Sequence, residues 1–352
     1  MPAQDAATPR PIDGVDFDIL SDWMDGSGLP TGPIEQVAPI GGGTQNIMLR
    51  FTRGGREFVL RRGPLHLRSK SNEVIRREAR LLAALASTDV PAPTLIAACP
   101  DETVMGAVFY LMEPIDGFSP ATTLPELYRN DPNAVREMGL AAARGLAQLG
   151  AVDYEAVGLG DYGRPDGFLE RQVTRWMGEL ETYSRNEGYP GPDIPGLQDV
   201  ADWLERNRPA QWSAGVMHGD CHMANMMFRT DRAELAAFVD WEMSTIGDPL
   251  LDLGWLLATW PDDPSLRVLV PTLTPDVGLA TRDELVAAYG ELSQRPLDAV
   301  DWYTVLACFK LGIVLEGTHA RAFAGKAPKA VGDMLHAVTL GLFAKARGLA
   351  GV

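Results

Sequence analysis

A chain of 352 residues, at about 150 residues per domain, has room for two domains or one large two-lobed body, and it is too long for a small stapled module. Its 46% hydrophobic and 22% charged residues are ordinary globular usage, and no uninterrupted apolar run exceeds six residues, far below the about 20 that a membrane helix needs. With 31 Lys plus Arg against 47 Asp plus Glu the net charge is −16, which repels a phosphate backbone and argues against a nucleic-acid partner.

Met1 to Asp18 carries one Arg, several acids and no apolar block, so neither a secretory signal nor a basic transit peptide is expected, and a cytoplasmic location is. Cys99, Cys221 and Cys308 are too few and too scattered for a disulfide framework or a four-cysteine metal site; reduced thiols are expected. Residues 1–33 are rich in Pro, Gly and Asp, with one short amphipathic stretch around Phe17 to Met24, and read as an extension before a body that starts near Ile34. The body opens on strand signals. Met48–Thr52 and Glu57–Leu60 flank Arg53-Gly54-Gly55-Arg56 as a hairpin would, and Ser71 is the expected N-cap of a helix through Ala86. Two further strands are expected at Thr94–Ala98 and Val104–Met112, which makes a small sheet with one helix.

After residues 113–117 the pattern changes to long helices: Pro132–Leu149, Phe168–Tyr183, Leu197–Asn207, Arg282–Leu292 and Ala299–His319. Within this mostly α region lies one β island, Gly215–Trp241, whose apolar runs flank a polar turn at Arg229–Glu234. The chemistry-bearing residues cluster there. Asp220 and Asn225 stand five apart on a loop and Asp240 ends the next apolar strand, so three oxygen-bearing side chains can meet at one edge, a donor set that suits Mg²⁺. Asp-x-x-x-x-Asn followed by a strand-end Asp is the kinase arrangement, with Asp220 as the base that takes the acceptor hydroxyl's proton and Asn225 and Asp240 on the metal. Turn and cap residues have the same composition, and the motif alone does not separate the two readings.

A kinase also needs a cation on the phosphates and a helix Glu to orient it. Arg61 follows the strand Phe58-Val59-Leu60, and Glu78 falls on the apolar stripe of the 71–86 helix, where a carboxylate needs a partner; Arg61 is the natural one, and neighbouring Arg77 or Arg80 the alternative. Upstream, Gly41, Gly42, Gly43, Thr44 and Asn46 form a glycine-rich turn whose amides could approach a nucleotide phosphate, although a plain hairpin turn is the commoner meaning of such a sequence. Residues 61–80 hold seven Arg or Lys against Glu73 and Glu78, which fits an anionic ligand or, equally, a solvated helix face. His218, Cys221 and His222 raise the rival class of metal hydrolases, but no H-E-x-x-H is present, and no G-x-S-x-G for a serine hydrolase. His218 is expected to make a structural hydrogen bond and His222 to face the acceptor.

His218-Gly219-Asp220 to Asn225, Asp240-Trp241-Glu242 and Gly247-Asp248-Pro249-Leu250-Leu251-Asp252-Leu253 resemble the aminoglycoside-phosphotransferase-like kinases, from about Ile40 to Gly325. Phe58-Val59-Leu60-Arg61-Arg62, Arg77-Glu78, Val90-Pro91-Ala92-Pro93 and Phe109-Tyr110-Leu111-Met112-Glu113 are most similar to the branch related to the kinase-like domain attached to some acyl-CoA dehydrogenases. The resemblance implies an α+β, two-lobed protein-kinase-like fold: an extension 1–33, an N-lobe 34–112, a linker 113–118 and a C-lobe 119–352. It implies ATP in the cleft with its adenine on the linker backbone at Glu113 and Ile115, Mg²⁺ on Asn225 and Asp240, and structural roles for Asp248 and Asp252. The acceptor it implies is a small hydroxylated metabolite such as a hydroxyacyl-CoA, near His222 and Glu242; an aminoglycoside kinase and a nucleotide-binding pseudokinase are the alternatives. Gly150 stands where many relatives have His, and Cys221-His222 departs from the branch's aromatic-Arg pair, so acceptor identity stays open.

Overall fold

A computed structural model describes residues 12–41, 46–262, 266–267 and 270–352, and divides them into two compact units at the Asp116–Gly117 junction. The first unit is a five-stranded sheet in the order β1-β2-β3-β5-β4, every pair antiparallel: β1 Ile34–Pro39, β2 Ile47–Arg53, β3 Arg56–Arg62, β4 Leu95–Cys99 and β5 Phe109–Met112. The expected hairpin is β2–β3, in register from Ile47 opposite Arg62 to Arg53 opposite Arg56, with Gly54 and Gly55 both at positive φ in the turn. Only 109–112 of the strand expected over Val104–Met112 pairs.

Residues 12–33, expected as an extension, are instead part of this unit. Helix α1, Phe17–Gly26, is capped by the Asp16 carboxylate and buries Leu20 and Met24 in one core with Leu49, Phe51, Phe58, Leu60 and Phe109. Trp23 meets Phe109 edge-on at 4.7 Å between centroids. Buried Arg53 fastens the helix to β2, donating to the carbonyls of Ser21 and Gly32 and pairing with Asp25 at 2.9 Å. The short amphipathic stretch expected at Phe17 to Met24 is a one-sided helix whose apolar side the sheet covers.

Helix α2 spans Ser71–Leu85. Ser71 is its first residue rather than its N-cap: the cap is Lys70, which makes no side-chain cap bond, while the Ser71 hydroxyl accepts from the Arg68 amide at 2.9 Å. The buried face of α2 carries Ile75, Leu81, Leu82 and Leu85, and with them Glu78.

The second unit is mainly helical: α3 Glu126–Asn130, α4 Pro132–Gly150, α5 Gln172–Thr182, α6 Leu197–Arg206, α7 Leu250–Ala258, α8 Arg282–Leu292, α9 Val300–Phe323 and α10 Lys329–Ala350. Helix α9 is buried on nearly all sides from Val300 to Ile313, as a central helix is. Gly254 lets α7 approach it closely, since a Cβ there would lie 2.5 Å from the Tyr303 carbonyl group. Helix α10 returns antiparallel along α9: the Thr339 hydroxyl donates to the Gly312 carbonyl, and His319 stacks on His336. The β island is two ladders. β7 Met226–Phe228 and β8 Leu235–Phe238 form the expected hairpin, whereas β6 Gly215–Met217 pairs with β9 Thr245–Gly247, beyond the island's expected end. Among the described residues no helix is long and apolar enough to cross a membrane, and the three cysteines are buried.

Candidate active site

The first unit holds a buried charge pair. Arg61 on β3 meets Glu78 on α2 with both carboxylate oxygens engaged, Nε to Oε2 at 2.7 Å and Nη2 to Oε1 at 2.9 Å, and the Tyr110 hydroxyl on β5 donates to Oε2 at 3.0 Å. A carboxylate on an apolar stripe needs such partners, so β3, α2 and β5 are tied through one group. Removing one member of a buried pair costs about 3–5 kcal/mol, because the remaining charge keeps its desolvation. Glu78→Ala is therefore expected to destabilise the chain by about that much in urea unfolding, and Glu78→Gln by less, since its amide oxygen still accepts. A Glu78→Ala loss below about 1 kcal/mol would show the pair to be dispensable for the fold.

Several of the seven basic residues of segment 61–80 have structural engagements. Arg61 is paired as above, Arg62 donates to the carbonyls of Gly63, Pro64 and Met105 with burial lowering its pKa, and Arg76 binds the Pro100 carbonyl. Gly41 sits at φ +71°, with open space where a Cβ would point, and Asn46 precedes β2, half-buried. Gly42, Gly43 and Thr44 lie outside the described residues. Glu113 and Ile115 follow β5; the Glu113 carboxylate is exposed and pairs with Arg56 at 2.9 Å, while its amide donates to the Thr94 carbonyl.

In the second unit the two ladders converge their ends. The loop after β6 carries His218 to His222, a short 3₁₀ turn Met223–Asn225 leads into β7, and Asp240 follows β8. Asn225 Nδ2 donates to both the carbonyl and Oδ2 of Asp220, each at 3.0 Å. With both amide hydrogens so used, Oδ1 of Asn225 is the atom left for a cation. The Val239 amide donates to the Asn225 carbonyl, so Asp240 stands one residue beyond the partner of Asn225. Asp240 has φ +67°, one of two non-glycine residues in that region among the described residues; Asp tolerates it better than most, and such strain concentrates where geometry serves a site. His222 Nε2 lies 3.5 Å from Asp220 Oδ1, and Glu242 falls in the 3₁₀ turn directly after Asp240.

The loop is held from behind. Asp252, in the first turn of α7, accepts the amides of His218 at 2.6 Å and Gly219 at 2.9 Å, and burial lifts its carboxyl to about 6. Gly219 sits at φ +86° with the Met243 carbonyl so near that a Cβ would come within 2.3 Å, which leaves no room for any other residue. His218 is fully buried against Trp241 and pairs its Nε2 with the Val239 carbonyl at 2.9 Å; burial pushes its pKa down to about 4, so it is the neutral structural hydrogen-bonder that was expected. Asp248 caps the start of α7 at the Leu250 amide and accepts from the Tyr303 hydroxyl.

Lys310 was not singled out in the sequence. Its Nζ donates to the Gly219 carbonyl at 3.0 Å and lies 4.3 Å from the Trp255 ring centroid, and burial pushes its pKa down to about 8 even with Asp220 and Asp252 nearby to favour the cation. The available signal was a lysine as the sole charge between Asp301 and Glu316 in an apolar helix, which needs buried partners. For Asp220, burial alone would raise the carboxyl pKa, but the hydrogen bond and charge of His222, with the Lys310 cation, outweigh it and bring it down to about 2. At neutral pH this yields an ionised, oriented carboxylate beside an amide oxygen and a second carboxylate, an arrangement able to orient a hydroxyl and to hold a hard cation. Gly150 packs so closely on Pro249 that a Cβ would lie 2.6 Å from its ring, so glycine suits this local packing.

A model of the phosphotransferase enzyme family matches residues 36–296. Acyl-CoA dehydrogenase family member 10 of Mus musculus is 29% identical over 85% of this chain but only 28% of its own length, so the chain spans well under half of that relative. Among solved structures, a candidate aminoglycoside phosphotransferase from Ralstonia eutropha is 27% identical with a TM-score of 0.77, covering 95% of this chain and 98% of its own. A thermostable mutant of aminoglycoside phosphotransferase APH(4)-Ia, solved with AMP-PNP and hygromycin B, shares the fold with a TM-score of 0.57 at 15% identity, over 91% of this chain and 97% of its own.

Proposed function

We propose, from the premise that this chain belongs to the phosphotransferase enzyme family and is a phosphotransferase acting on a hydroxyl acceptor, that it transfers the γ-phosphoryl group of magnesium-bound ATP to an alcohol of a small metabolite. The observation that carries this is the oxygen cluster of the second unit: Asp220 fixed by Asn225, with Asp240 at the end of the adjoining strand. The donor set fits Mg²⁺ on its chemistry, since Asn225 has only its amide oxygen left to offer and Asp240 adds a carboxylate. A magnesium ion held there would neutralise charge on the phosphate oxygens.

The chain's own residues do the rest. Asp220 accepts a hydrogen bond from the acceptor hydroxyl and aims its oxygen at the γ-phosphorus. As the new O–P bond forms and the bond between γ-phosphorus and the β,γ-bridging oxygen breaks, the hydroxyl proton passes to Asp220 and ADP leaves. A carboxylate whose pKa is near 2 is a weak base, which suits a loose transition state in which the proton departs late and orientation is the main contribution. Arg61, oriented by Glu78, is the phosphate-contacting cation, and the backbone at Glu113 and Ile115 receives the adenine; Gly41 and Asn46 flank the nucleotide. His222 and Glu242 face the acceptor.

The likeness to acyl-CoA dehydrogenase family relatives favours a hydroxyacyl-CoA as the acceptor, and the Ralstonia eutropha neighbour favours an aminoglycoside as the second reading. The test is transfer of label from γ-labelled ATP with Mg²⁺ to a panel of hydroxyacyl-CoA thioesters, free hydroxy acids and aminoglycosides. Labelled thioester supports the first reading and labelled aminoglycoside the second; nucleotide binding with no transfer to any acceptor would leave a pseudokinase and overturn both.

A further inference from the structure

A second cluster of metal-binding side chains stands on the α9–α10 pair. Glu316 and His319 are three apart on α9, and Asp333 and His336 are three apart on α10, so each helix presents an acid-x-x-His face to the other. The pairing is reciprocal: His336 Nδ1 lies 2.6 Å from Glu316 Oε2, and His319 Nδ1 lies 3.8 Å from Asp333 Oδ1. The rings stack at 4.3 Å between centroids and 18° between planes, and one ligand atom from each of Glu316, His319 and His336 can be chosen so that all lie within 4.8 Å of one another. Gly332 permits the close approach of the helices here, since a Cβ would fall 2.6 Å from Ala322 and 3.3 Å from the His319 Cα.

We propose that Glu316, His319 and His336 form a binding site for a first-row transition metal of the Zn²⁺ type, with Asp333 or water as fourth ligand, that staples α9 to α10. A pair of metal-free salt bridges is the competing account, and two observations weigh against it. His319 Nδ1 is buried with no hydrogen-bond partner, which a simple ion pair would have supplied. Glu316 is fully buried and its other oxygen accepts from the Tyr189 hydroxyl at 2.7 Å, the kind of outer partner that orients a metal-ligating carboxylate. A tetrahedral site needs donors about 3.3 Å apart, within reach of modest side-chain rotation from the observed spacing. Lys329 also pairs with Asp333, which is why Asp333 is placed only as the exchangeable fourth ligand.

The test uses the full, untagged chain stripped with a chelator and titrated calorimetrically with Zn²⁺ in excess Mg²⁺, which occupies the oxygen donors around Asp240. One equivalent is expected to bind and to raise the thermal midpoint. His319→Ala and His336→Ala are each expected to weaken binding by more than the about 10–100-fold that loss of an outer partner costs, and Tyr189→Phe by about that amount. On the parent chain, Co²⁺ is expected to give the intense visible bands of four-coordinate, imidazole-ligated cobalt, a readout that stands even where a variant fails to fold. No saturable Zn²⁺ binding in the parent, binding unchanged in the double His variant, or a purely six-coordinate Co²⁺ spectrum would each overturn the site.

Discussion

Asp220→Ala is expected to lower kcat by about 10²–10⁴-fold while leaving nucleotide affinity within about twofold, because the role proposed for it sets the group against the acceptor alcohol and not the nucleotide. Its carboxylate also accepts from Asn225 and sits beside His222, so Asp220→Asn, which retains an acceptor oxygen, separates loss of the base from loss of loop order. Stability is the control. The folded carboxyl is held at about 2, below its ordinary 3.8, so the stability it contributes is full above the unfolded value and is lost as pH falls through about 2; neither variant is limited by this at neutral pH. For the same reason the parent's pH–rate profile is expected to show no acid limb from this residue above about pH 3. Single-turnover phosphate transfer by Asp220→Ala at the parent's rate would remove Asp220 from the chemistry.

Asp240→Ala is expected to abolish the dependence of nucleotide binding on magnesium, with affinity for magnesium-ATP falling by more than about tenfold. A carboxylate lost from the proposed cation's direct contacts cannot be replaced by Asn225, whose amide oxygen is neutral and already counted among the proposed ligands. The backbone complicates this variant, because position 240 lies at φ +67°, where alanine is disfavoured by about 1–2 kcal/mol. Asp240→Asn is the companion: it tolerates that conformation and keeps an oxygen but loses the charge, so it is expected to fall between parent and Asp240→Ala. Equal magnesium-ATP affinity in the parent and both variants, measured by calorimetry, would refute the assignment of Asp240 to the metal.

What the sequence determined by itself was whatever short spans encode. Asp220, Asn225 and Asp240 lie within 21 residues on two strand ends joined by one hairpin, so strand period and turn residues alone bring them together. Glu78 was legible for a related reason: a carboxylate on a helix's apolar stripe needs a cation, and the adjoining strand carried Arg61. Residues 12–33, read as an extension with one short amphipathic stretch, belong to the first unit because the sheet covers Leu20 and Met24, and which surface would cover that stretch is not written in the stretch itself. Tertiary structure alone decided the support behind the loop that carries Asp220, where Asp252 and Lys310, 32 and 90 residues beyond it, converge on the backbone of Gly219. It also decided the facing acid-x-x-His pairs, since each is unremarkable on its own helix until the antiparallel register sets one against the other. Local patterns record which face of an element is buried; which distant side chain meets it depends on how the elements pack, and that is not written in any single window of the chain.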